Sequence, residues 1–205
     1  MEELLRYWQQ SGLIKDKKLI VAFKKVDRRN FIRKESMNEV YGDYPLPIGF
    51  GQTISQPTTV MLMIEALELK KTDKVLEVGA GSGWCAAIMS RLCKKVITTE
   101  IIPELVGFAK ENIKKCNIKN VEIIDWDGSQ GYEKESPYDK IMLTAACPSL
   151  PKKCIEQLKE NGIIIAPVGS LFSQDMIKGR KIKGSLATEN LGNFMFVPLK
   201  GKYGY

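Results

Sequence analysis

Apolar and polar residues alternate along the middle of the chain with two different periods. Short apolar runs, typical of strands buried on both faces, are separated by longer stretches with apolar side chains at helical spacing. Strands and helices that alternate in this order build a mainly parallel sheet with right-handed crossovers. The pattern therefore predicts an α/β, doubly wound fold. The predicted strands are 74–78, 96–99, 121–124, 140–144 and 162–167, and the predicted helices are 60–69, 84–94, 103–115 and 150–160.

The two ends of the chain carry different patterns. Apolar residues recur at helical spacing within 4–8 and 19–23, with a Ser-Gly stop signal between them, and this predicts an N-terminal helical cap. After Ser170 the pattern changes to that of strands, of which 193–199 is the clearest. We therefore expect a C-terminal antiparallel edge on the sheet.

Composition narrows the chemistry open to this chain. It has 205 residues, no histidine and five cysteines without a C-x-x-C pair. The lack of imidazole excludes Ser-His and Cys-His nucleophilic catalysis and the common zinc sites, so no metal is expected. An odd number of unpaired thiols favours buried, reduced cysteines over a disulfide framework.

The charge of the chain bears on its partners. The formal net charge is +7 at pH 7, but the lysines come mostly as pairs at predicted helix ends, where they offset the helix macrodipole. We therefore do not expect a nucleic-acid partner. The sequence has no apolar run of membrane-spanning length and no signal peptide, so we expect a cytoplasmic protein without a membrane partner.

A glycine-rich turn follows the first predicted strand of the sheet. The strand runs into Gly79, Gly81 and Gly83, with Glu77 two residues ahead of the first glycine. Glycines bring the backbone close to a ligand, although they can also serve only a tight turn. A dinucleotide site needs a glycine where this chain has Trp84, so the Rossmann-like turn does not favour NAD or FAD.

Glu100 ends the second predicted strand of the sheet. At the carboxyl edge of a parallel sheet, its carboxylate can accept both ribose hydroxyls of a nucleoside. A lone acid after a strand is also a common helix N-cap. The order of strand, glycine turn, helix and acid favours the nucleoside-binding interpretation.

These residues resemble a known class of enzymes. The spacing E-x-G-x-G-x-G, followed by Glu100, resembles motif I of the class I S-adenosylmethionine-dependent methyltransferases. The loop before it is more specific, because the string LPIGFGQTIS from Leu46 to Ser55 resembles the signature loop of the protein-L-isoaspartate O-methyltransferases. The likeness spans nearly the whole chain, since it also covers 26–31, 137–139, 144–146, 162–169 and 196–202.

The resemblance implies a function and a set of site residues. The implied enzyme is a protein-repair methyltransferase that moves a methyl group from S-adenosylmethionine to the α-carboxyl of L-isoaspartyl residues in damaged proteins and peptides. Ser55 is implied to be the catalytic residue, orienting the substrate carboxylate. A carboxylate needs no general base, which fits a chain without histidine. The residues implied to bind the cofactor are Thr53, Ile54, Gln56, Glu77, Gly79, Gly81, Ser82, Gly83, Glu100, Ile101, Asp127 and Gly128.

Some residues depart from the family pattern or allow another role. Trp126 stands where the family usually has glycine before Asp127-Gly128, so it could crowd or stack on the adenine. Gln56 is less usual after the signature loop. Ser55, taken alone, is also compatible with a helix N-cap, because Pro57 can begin a helix at its first turn.

Two other functions stay open at this point. The basic charge and Cys147-Pro148 after a strand allow a nucleic-acid methyltransferase, although the Pro/Cys order of cytosine-C5 enzymes is reversed. No Asn/Asp-Pro-Pro-aromatic string is present to hold a flipped base, and we expect Cys147 to be structural. A member of the same fold that binds the cofactor without catalysis is the second alternative.

The expected organisation is a single methyltransferase domain, since the chain has the length of one compact unit. A stretch rich in proline and glycine separates the N-terminal helices from the sheet. The three expected parts are a helical cap and active-site loop at 1–57, a cofactor-binding core at 58–170 and C-terminal strands at 171–205.

Overall fold

A computed structural model describes all 205 residues of the chain. It contains nine strands and six α-helices, together with short 3-10 turns. The strands are β1 (Leu46–Gly49), β2 (Gln52–Ile54), β3 (Lys74–Val78), β4 (Lys95–Glu100), β5 (Val121–Asp125), β6 (Tyr138–Leu143), β7 (Leu158–Gly169), β8 (Gln174–Ile182) and β9 (Ser185–Phe194). The helices are α1 (Glu2–Ser11), α2 (Lys17–Lys25), α3 (Pro57–Ala66), α4 (Trp84–Ser90), α5 (Pro103–Lys115) and α6 (Lys152–Gln157).

Seven of the strands form one sheet in the order β5-β4-β3-β6-β7-β8-β9. The first five strands of that order are parallel, whereas β8 and β9 are antiparallel. This confirms the predicted doubly wound, mainly parallel sheet with an antiparallel edge. The central strands carry apolar side chains on both faces because helices and loops cover both, which is why they read as continuous apolar runs.

The two faces of the sheet have cores of unequal size. The larger core joins the sheet to α1 through α5, and it includes Trp8, Phe23 and Trp84. The smaller core lies on the opposite face, where α6 contributes Cys154 and the sheet contributes Leu76 among others. The cap helices therefore share one hydrophobic core with the helices that follow the glycine turn.

The predicted N-terminal helical cap is confirmed, and local signals explain its boundaries. Gly12 ends α1 in the left-handed conformation, and the Asp16 side chain accepts a hydrogen bond from the backbone N–H of Lys18 at the start of α2. The Trp8 ring packs edge-on against Phe23 at 4.8 Å, and its Nε1 donates to Thr58 Oγ1 at 2.7 Å. These contacts tie the cap to the start of α3.

The predicted strand at 193–199 is wrong. The last strand, β9, ends at Phe194, and the residues after it form only an isolated bridge between Pro198 and Ala146. The backbone N–H of Phe196 donates instead to the Gln174 side chain at 2.9 Å. The apolar residues of this segment contact the end of the parallel sheet without continuing its ladder.

The predicted helix at 150–160 is too long. Helix α6 ends at Gln157, because Leu158 takes an extended conformation, is buried and pairs with Tyr138. Of the five cysteines, four are buried, Cys116 is half-buried, and all are free thiols, as predicted. None of the helices has both the length and the apolar character needed to cross a membrane.

Candidate functional site

A cleft of about 760 Å³, its open mouth included, lies at the carboxyl edge of the parallel strands. Ligands of open α/β sheets bind at this edge, where neighbouring crossovers leave the sheet in opposite directions. One wall comes from the sheet and the other from the segment around β2. The lining segments are 52–55, 78–82, 99–102 and 197–200, joined by Val60, Trp84, Cys85, Trp126, Gly128, Thr144 and Ala145.

The glycine turn forms the floor of the cleft. Gly79 has a φ of 101°, and a Cβ placed there would lie 2.5 Å from Thr144 Oγ1, so only glycine fits without strain. The backbone N–H groups of Gly79 and Ala80 both donate to the Thr99 carbonyl at 2.9 Å. The turn is therefore held at the end of β3 by backbone groups of the neighbouring strand.

Glu100 joins the glycine turn to the loop that follows β4. One of its carboxylate oxygens accepts from the Gly81 N–H at 2.9 Å, and the other accepts from Ile101 and Ile102 at 3.0 and 3.1 Å. A carboxylate has about four acceptor positions, and these bonds occupy three of them. A nucleoside hydroxyl can take the remaining position, while a second hydroxyl would displace one of the loop N–H groups.

Gly128 lies at the far side of the cleft, where a Cβ would collide with Thr99 Oγ1 and would lie 2.7 Å from a methyl group of Val78. The absence of a side chain keeps the space beside the ends of β3 and β4 open. Trp126 contributes the adjoining wall, with its Nε1 donating to the Gly131 carbonyl at 2.8 Å. This hydrogen bond fixes the indole at the rim.

Asp127 lies behind this wall. Its carboxylate accepts from the backbone N–H groups of Ser129 at 3.0 Å and Lys202 at 2.9 Å. Burial alone would raise the pKa of Asp127, but these and other hydrogen bonds outweigh it and lower the pKa. Asp127 therefore anchors the C-terminal segment to the turn that carries Gly128.

The β1–β2 hairpin covers the glycine turn. Its tip has three consecutive residues with positive φ, Gly49, Phe50 and Gly51, which reverse the chain sharply. The Ile48 side chain is buried, a Cβ added at Gly81 would lie 3.4 Å from its Cδ1, and the Ile48 carbonyl accepts from Arg33 Nε at 3.0 Å. We call residues 46–55 the lid, since they lie over the turn and end at Ser55.

Ser55 lines the cleft at the end of the lid. It is not the cap of α3, because the N-cap is Gln56 and the backbone N–H of Thr58 donates to the Asp43 side chain at 2.9 Å. The Ser55 carbonyl accepts from Arg28 at 2.9 Å. The helix-cap interpretation is therefore wrong, and the hydroxyl is left for a ligand.

Arg28 holds the lid from behind and was not identified as a site residue in the sequence. It is fully buried, and its guanidinium stacks on the Trp84 ring at 5.1 Å. Burial lowers the pKa of Arg28 to about 10, so the group stays protonated at neutral pH. It donates to five backbone carbonyls that lie between residues 40 and 55, those of Val40, Gly42, Tyr44, Ile54 and Ser55.

Glu77 lies beneath the glycine turn and is fully buried. Thr98 Oγ1 donates to one carboxylate oxygen at 2.5 Å, whereas the other oxygen has no hydrogen-bond partner. Burial raises the pKa of Glu77 to about 7. The support beneath the glycine turn therefore contains a carboxyl group that is protonated for part of the physiological pH range.

A profile of the family described as protein-L-isoaspartate(D-aspartate) O-methyltransferase matches residues 1–204. The chain belongs to this family. Its activity is that of an O-methyltransferase that uses S-adenosylmethionine as methyl donor and isoaspartyl carboxyl groups as acceptors.

Individual relatives agree with the family assignment. A protein-L-isoaspartate O-methyltransferase of Methanoculleus marisnigri is 41% identical over 204 residues, covering 100% of this chain and 93% of that protein. A second relative, protein-L-isoaspartate O-methyltransferase 2 of Archaeoglobus fulgidus, is 47% identical over 192 residues, covering 92% and 88%.

A solved structure gives the same result for the fold. The chain superposes with a TM-score of 0.84 and 29% identity on a Plasmodium falciparum protein described as a protein-L-isoaspartate O-methyltransferase, in complex with S-adenosyl-L-homocysteine. The match covers 97% of each chain. The cap, sheet and C-terminal hairpin are therefore all part of a shared fold.

The structure brings most of the residues predicted from the family resemblance to one cleft. Gln56 lies outside its lining, and its side chain accepts a hydrogen bond from Thr59. Glu77, Gly83 and Asp127 also lie outside the lining, as supports of the turns that form it. The predicted residues that line the cleft are Thr53, Ile54, Ser55, Gly79, Gly81, Ser82, Glu100, Ile101 and Gly128.

The structure adds lining residues that the sequence analysis did not assign to the site. Thr144 donates through Oγ1 to the Gly79 carbonyl at 2.6 Å, which ties the end of β6 to the glycine turn. The segment 197–200 reaches the cleft because the Ala146 N–H donates to Val197 and the Leu199 N–H donates back to Ala146. Thr144 ends a predicted strand and begins one of the segments, 144–146, in which the chain resembles the family, and these were the signals available.

Proposed function

We propose that this chain methylates the α-carboxyl of L-isoaspartyl residues in damaged proteins and peptides, with Ser55 orienting the acceptor and the glycine turn holding the methyl donor. The observation that carries the proposal is the position of Ser55. The residue lines the same cleft as the glycine turn and Glu100, and its carbonyl is fixed from behind by Arg28.

The cleft fits S-adenosylmethionine by shape and by donor set. A side chain at position 79 or 128 would fill part of the cleft, and both positions are glycine. Glu100 supplies a carboxylate for the ribose. We propose that Thr53, Ile54, Ser82 and Ile101 line the bound cofactor, with Gln56, Glu77, Gly83 and Asp127 supporting them. When bound, the cofactor supplies an electrophilic methyl group on a sulfonium.

The substrate carboxylate needs to be positioned more than it needs a general base. A substrate carboxylate is ionised at neutral pH and attacks without a general base, which fits a chain that has no histidine. The Ser55 hydroxyl can donate a hydrogen bond to one carboxylate oxygen and so aim the other. Lys200 lines the cleft and adds a positive charge that attracts an anionic substrate.

The protein-repair activity is tested with labelled S-adenosylmethionine and two peptides that differ only in L-isoaspartate or normal aspartate. We expect base-labile methyl ester on the isoaspartyl peptide alone, and about 100-fold lower kcat/KM for Ser55→Ala, the size seen when a positioned hydrogen-bond donor is lost. Ser185→Ala, on exposed β9, is the matched control and should be unchanged. Equal labelling of both peptides, or none, contradicts the proposal.

The burial of Cys147 disfavours the nucleic-acid alternative. The residue is fully buried, its Sγ contacts the Pro167 carbonyl at 3.5 Å, and it does not line the cleft. Burial raises the pKa of Cys147 to about 12, so a thiolate is not available at neutral pH. We therefore propose protein substrates, and neither nucleic-acid nor membrane partners.

The orientation of Trp126 gives no reason to favour a purely binding role, because the indole does not crowd the cleft. Its indole packs edge-on against Tyr132 at 5.9 Å and bonds to the Gly131 carbonyl, so it forms part of the rim and leaves the cleft open.

We also propose that the chain works as a single domain. In this proposal, residues 1–57 supply the cap and lid, 58–170 the cofactor-binding core and 171–205 the C-terminal strands.

A further inference from the structure

Four exposed apolar side chains lie outside the cleft and have no role in the mechanism above. The exposed fractions are 52% for Leu171, 85% for Phe172, 76% for Met195 and 44% for Tyr205. Single exposed apolar residues are common on protein surfaces, but a connected group next to a binding cleft marks an interaction surface. We call these four residues the apolar strip.

The strip is connected through the end of the antiparallel hairpin. Leu171 and Phe172 form the turn between β7 and β8, and this turn is closed by the Ser170 N–H donating to the Ser173 carbonyl at 3.0 Å. Directly after the turn, Gln174 pairs with Phe194, the residue before Met195. The turn and Met195 therefore lie at the same end of the β8–β9 hairpin.

Tyr205 connects the strip to the cleft. Its backbone N–H donates to the carbonyl of Leu199, which lines the cleft, at 3.0 Å. Its hydroxyl donates to the carbonyl of Gly169, the last residue of β7 before the turn. Exposed apolar surface therefore follows the carboxyl edge of the sheet from the cleft wall to Phe172.

We propose that the apolar strip binds the polypeptide chain of the substrate next to the isoaspartyl residue, with a preference for apolar side chains in that flanking segment. The inference rests on the proposed function, because a protein substrate must leave the cleft along one of its rims. An isoaspartyl link puts an extra methylene into the backbone, which disturbs the regular hydrogen bonding of a helix or strand at that residue. Apolar side chains next to it are therefore available for burial, which favours binding roughly in proportion to the area covered.

The position of the strip favours a substrate chain over a second copy of the protein. The strip consists of four residues and is continuous with the cleft. A stable dimer usually buries about 800 Å² on each partner, which takes many more residues. Its borders are polar, since Asn193 donates to the Asp175 carboxylate at 2.7 Å beside it. A narrow apolar path with a polar border fits an extended peptide.

The inference is tested with the double variant Phe172→Ser/Met195→Ser and two isoaspartyl peptides. One peptide carries leucine and phenylalanine on both sides of the isoaspartate, and the other carries glycine and serine. We expect the variant to raise KM for the apolar peptide about tenfold, as for two truncated anchor residues, and to leave KM for the polar peptide within about twofold. The kcat values and the KM for S-adenosylmethionine should not change, because the strip contacts neither the cofactor nor the carboxylate that is methylated.

The matched control is Val21→Ser/Ile182→Ser, which removes two apolar side chains of 49% and 44% exposure from α2 and from the opposite end of the hairpin. It should leave all constants unchanged. Equal KM values for the apolar peptide in wild type and strip variant would overturn the inference, as would equal rises for both peptides. If light scattering shows a dimer that the strip variant converts to monomer while KM stays the same, the strip binds a second copy instead.

A separate readout distinguishes failure of this inference from failure of the proposed function. Anisotropy of a fluorescent apolar-flanked peptide reports binding to the protein loaded with S-adenosylhomocysteine, whether or not methyl transfer occurs. Weaker binding to the strip variant supports the inference even if wild type methylates neither peptide, and unchanged binding overturns it. Absence of turnover with both peptides bears on the proposed function alone.

Discussion

The two walls of the cleft are built in different ways. On the sheet side, the glycine turn is fixed by backbone groups, with two N–H donors on the Thr99 carbonyl and parallel ladders on both sides of β3. On the lid side, β1 and β2 form only a short two-stranded ladder. Two arginine side chains supply most of the remaining polar contacts of the lid, Arg28 from behind and Arg33 at Ile48.

The difference has a physical consequence for each wall. Backbone hydrogen bonds do not depend on side-chain identity, so the sheet wall is sensitive mainly to added atoms. The lid lacks a ladder of its own to the sheet, so its position depends on a buried cation with several acceptors. We therefore expect the sheet wall to fail when atoms are added and the lid to fail when atoms are removed.

The largest effect is expected for removal of the Arg28 guanidinium. Arg28→Met leaves five backbone carbonyls without their donor, and since each buried unpaired acceptor costs about 1–3 kcal/mol, the free energy of unfolding should fall by about 3–5 kcal/mol. The kcat/KM should fall about 100-fold, while the Kd for S-adenosylmethionine should change by less than about tenfold. Urea unfolding, turnover and calorimetric binding measure the three quantities.

The neighbouring residue provides the control for this prediction. Arg29 is exposed and pairs only with Asp27, so Arg29→Met should stay within about 0.5 kcal/mol of wild type. Arg28→Lys keeps the charge but cannot reach all five carbonyls, and it should show an intermediate kcat/KM if the first variant does not fold. If Arg28→Met lowered cofactor affinity as much as turnover, the lid would not act separately from the sheet wall, and the distinction between the two walls would be wrong.

A smaller effect is expected from one added methyl group in the sheet wall. Gly79→Ala places a side chain at a φ of 101° and 2.5 Å from Thr144 Oγ1, so strain and overpacking together should cost about 2–4 kcal/mol. Thr144 cannot simply turn away, because its hydroxyl bonds to the Gly79 carbonyl. Affinity for S-adenosylmethionine, measured by calorimetry, should fall at least about tenfold.

Gly107→Ala is the opposite case and serves as the comparison. Gly107 lies inside α5 with no atom within 4 Å of an added Cβ, so alanine should stabilise the protein by up to about 1 kcal/mol. Cofactor affinity should not change. If Gly107→Ala lowered the free energy of unfolding as much as Gly79→Ala, the cost at Gly79 would not come from the geometry of the glycine turn.

The smallest expected effect concerns the buried charge in the sheet wall. Because burial raises the pKa of Glu77 from 4.5 to about 7, the folded state holds a proton that the unfolded chain has lost. The stabilisation by this bound proton is complete below pH 4.5. As the pH rises to about 7 it is lost, and the free energy of unfolding falls by about 1–3 kcal/mol. Urea unfolding of Glu77→Gln should lack this decline, so the variant should be the more stable protein at pH 8.

Glu122 is the matched strand glutamate for this measurement. It is half exposed and pairs with Lys95, so Glu122→Gln should keep the pH dependence of the wild type. If the Glu77→Gln curve declines as steeply as that of wild type, the titrating group lies elsewhere.

The sheet was predictable because its signals are local. Buried parallel strands such as β3 and β4 are continuous apolar runs, and the glycine turn follows one of them directly. The C-terminal region was harder, because residues 194–199 form an apolar run like that of a strand, although long-range bonds to Gln174 and Ala146 decide the places of Phe196 and Leu199. Strand β9 is mostly exposed, strand β8 is mostly buried or half-buried, and both mix polar and apolar residues without a strong pattern.

The candidate site was predictable only in part, for a similar reason. Ser55 and Glu100 belong to short strings whose spacing is visible in the sequence. The importance of Arg28 depends on carbonyls spread over residues 40–55, and no spacing rule connects a side chain to distant backbone groups. The bonds from Asp127 to the segment around Lys202 depend on the tertiary fold in the same way.

The exposed edge of the sheet has a consequence for how the protein behaves at high concentration. Strand β9 runs for ten residues with one side unpaired, and such an edge can add a strand from another molecule and start aggregation. Half of its residues are polar, Glu189 and two asparagines among them, and a bulge interrupts its pairing with β8 near Asp175. Irregular pairing and polar side chains both discourage the addition of a strand from another molecule, so we expect the edge to stay free in concentrated solution.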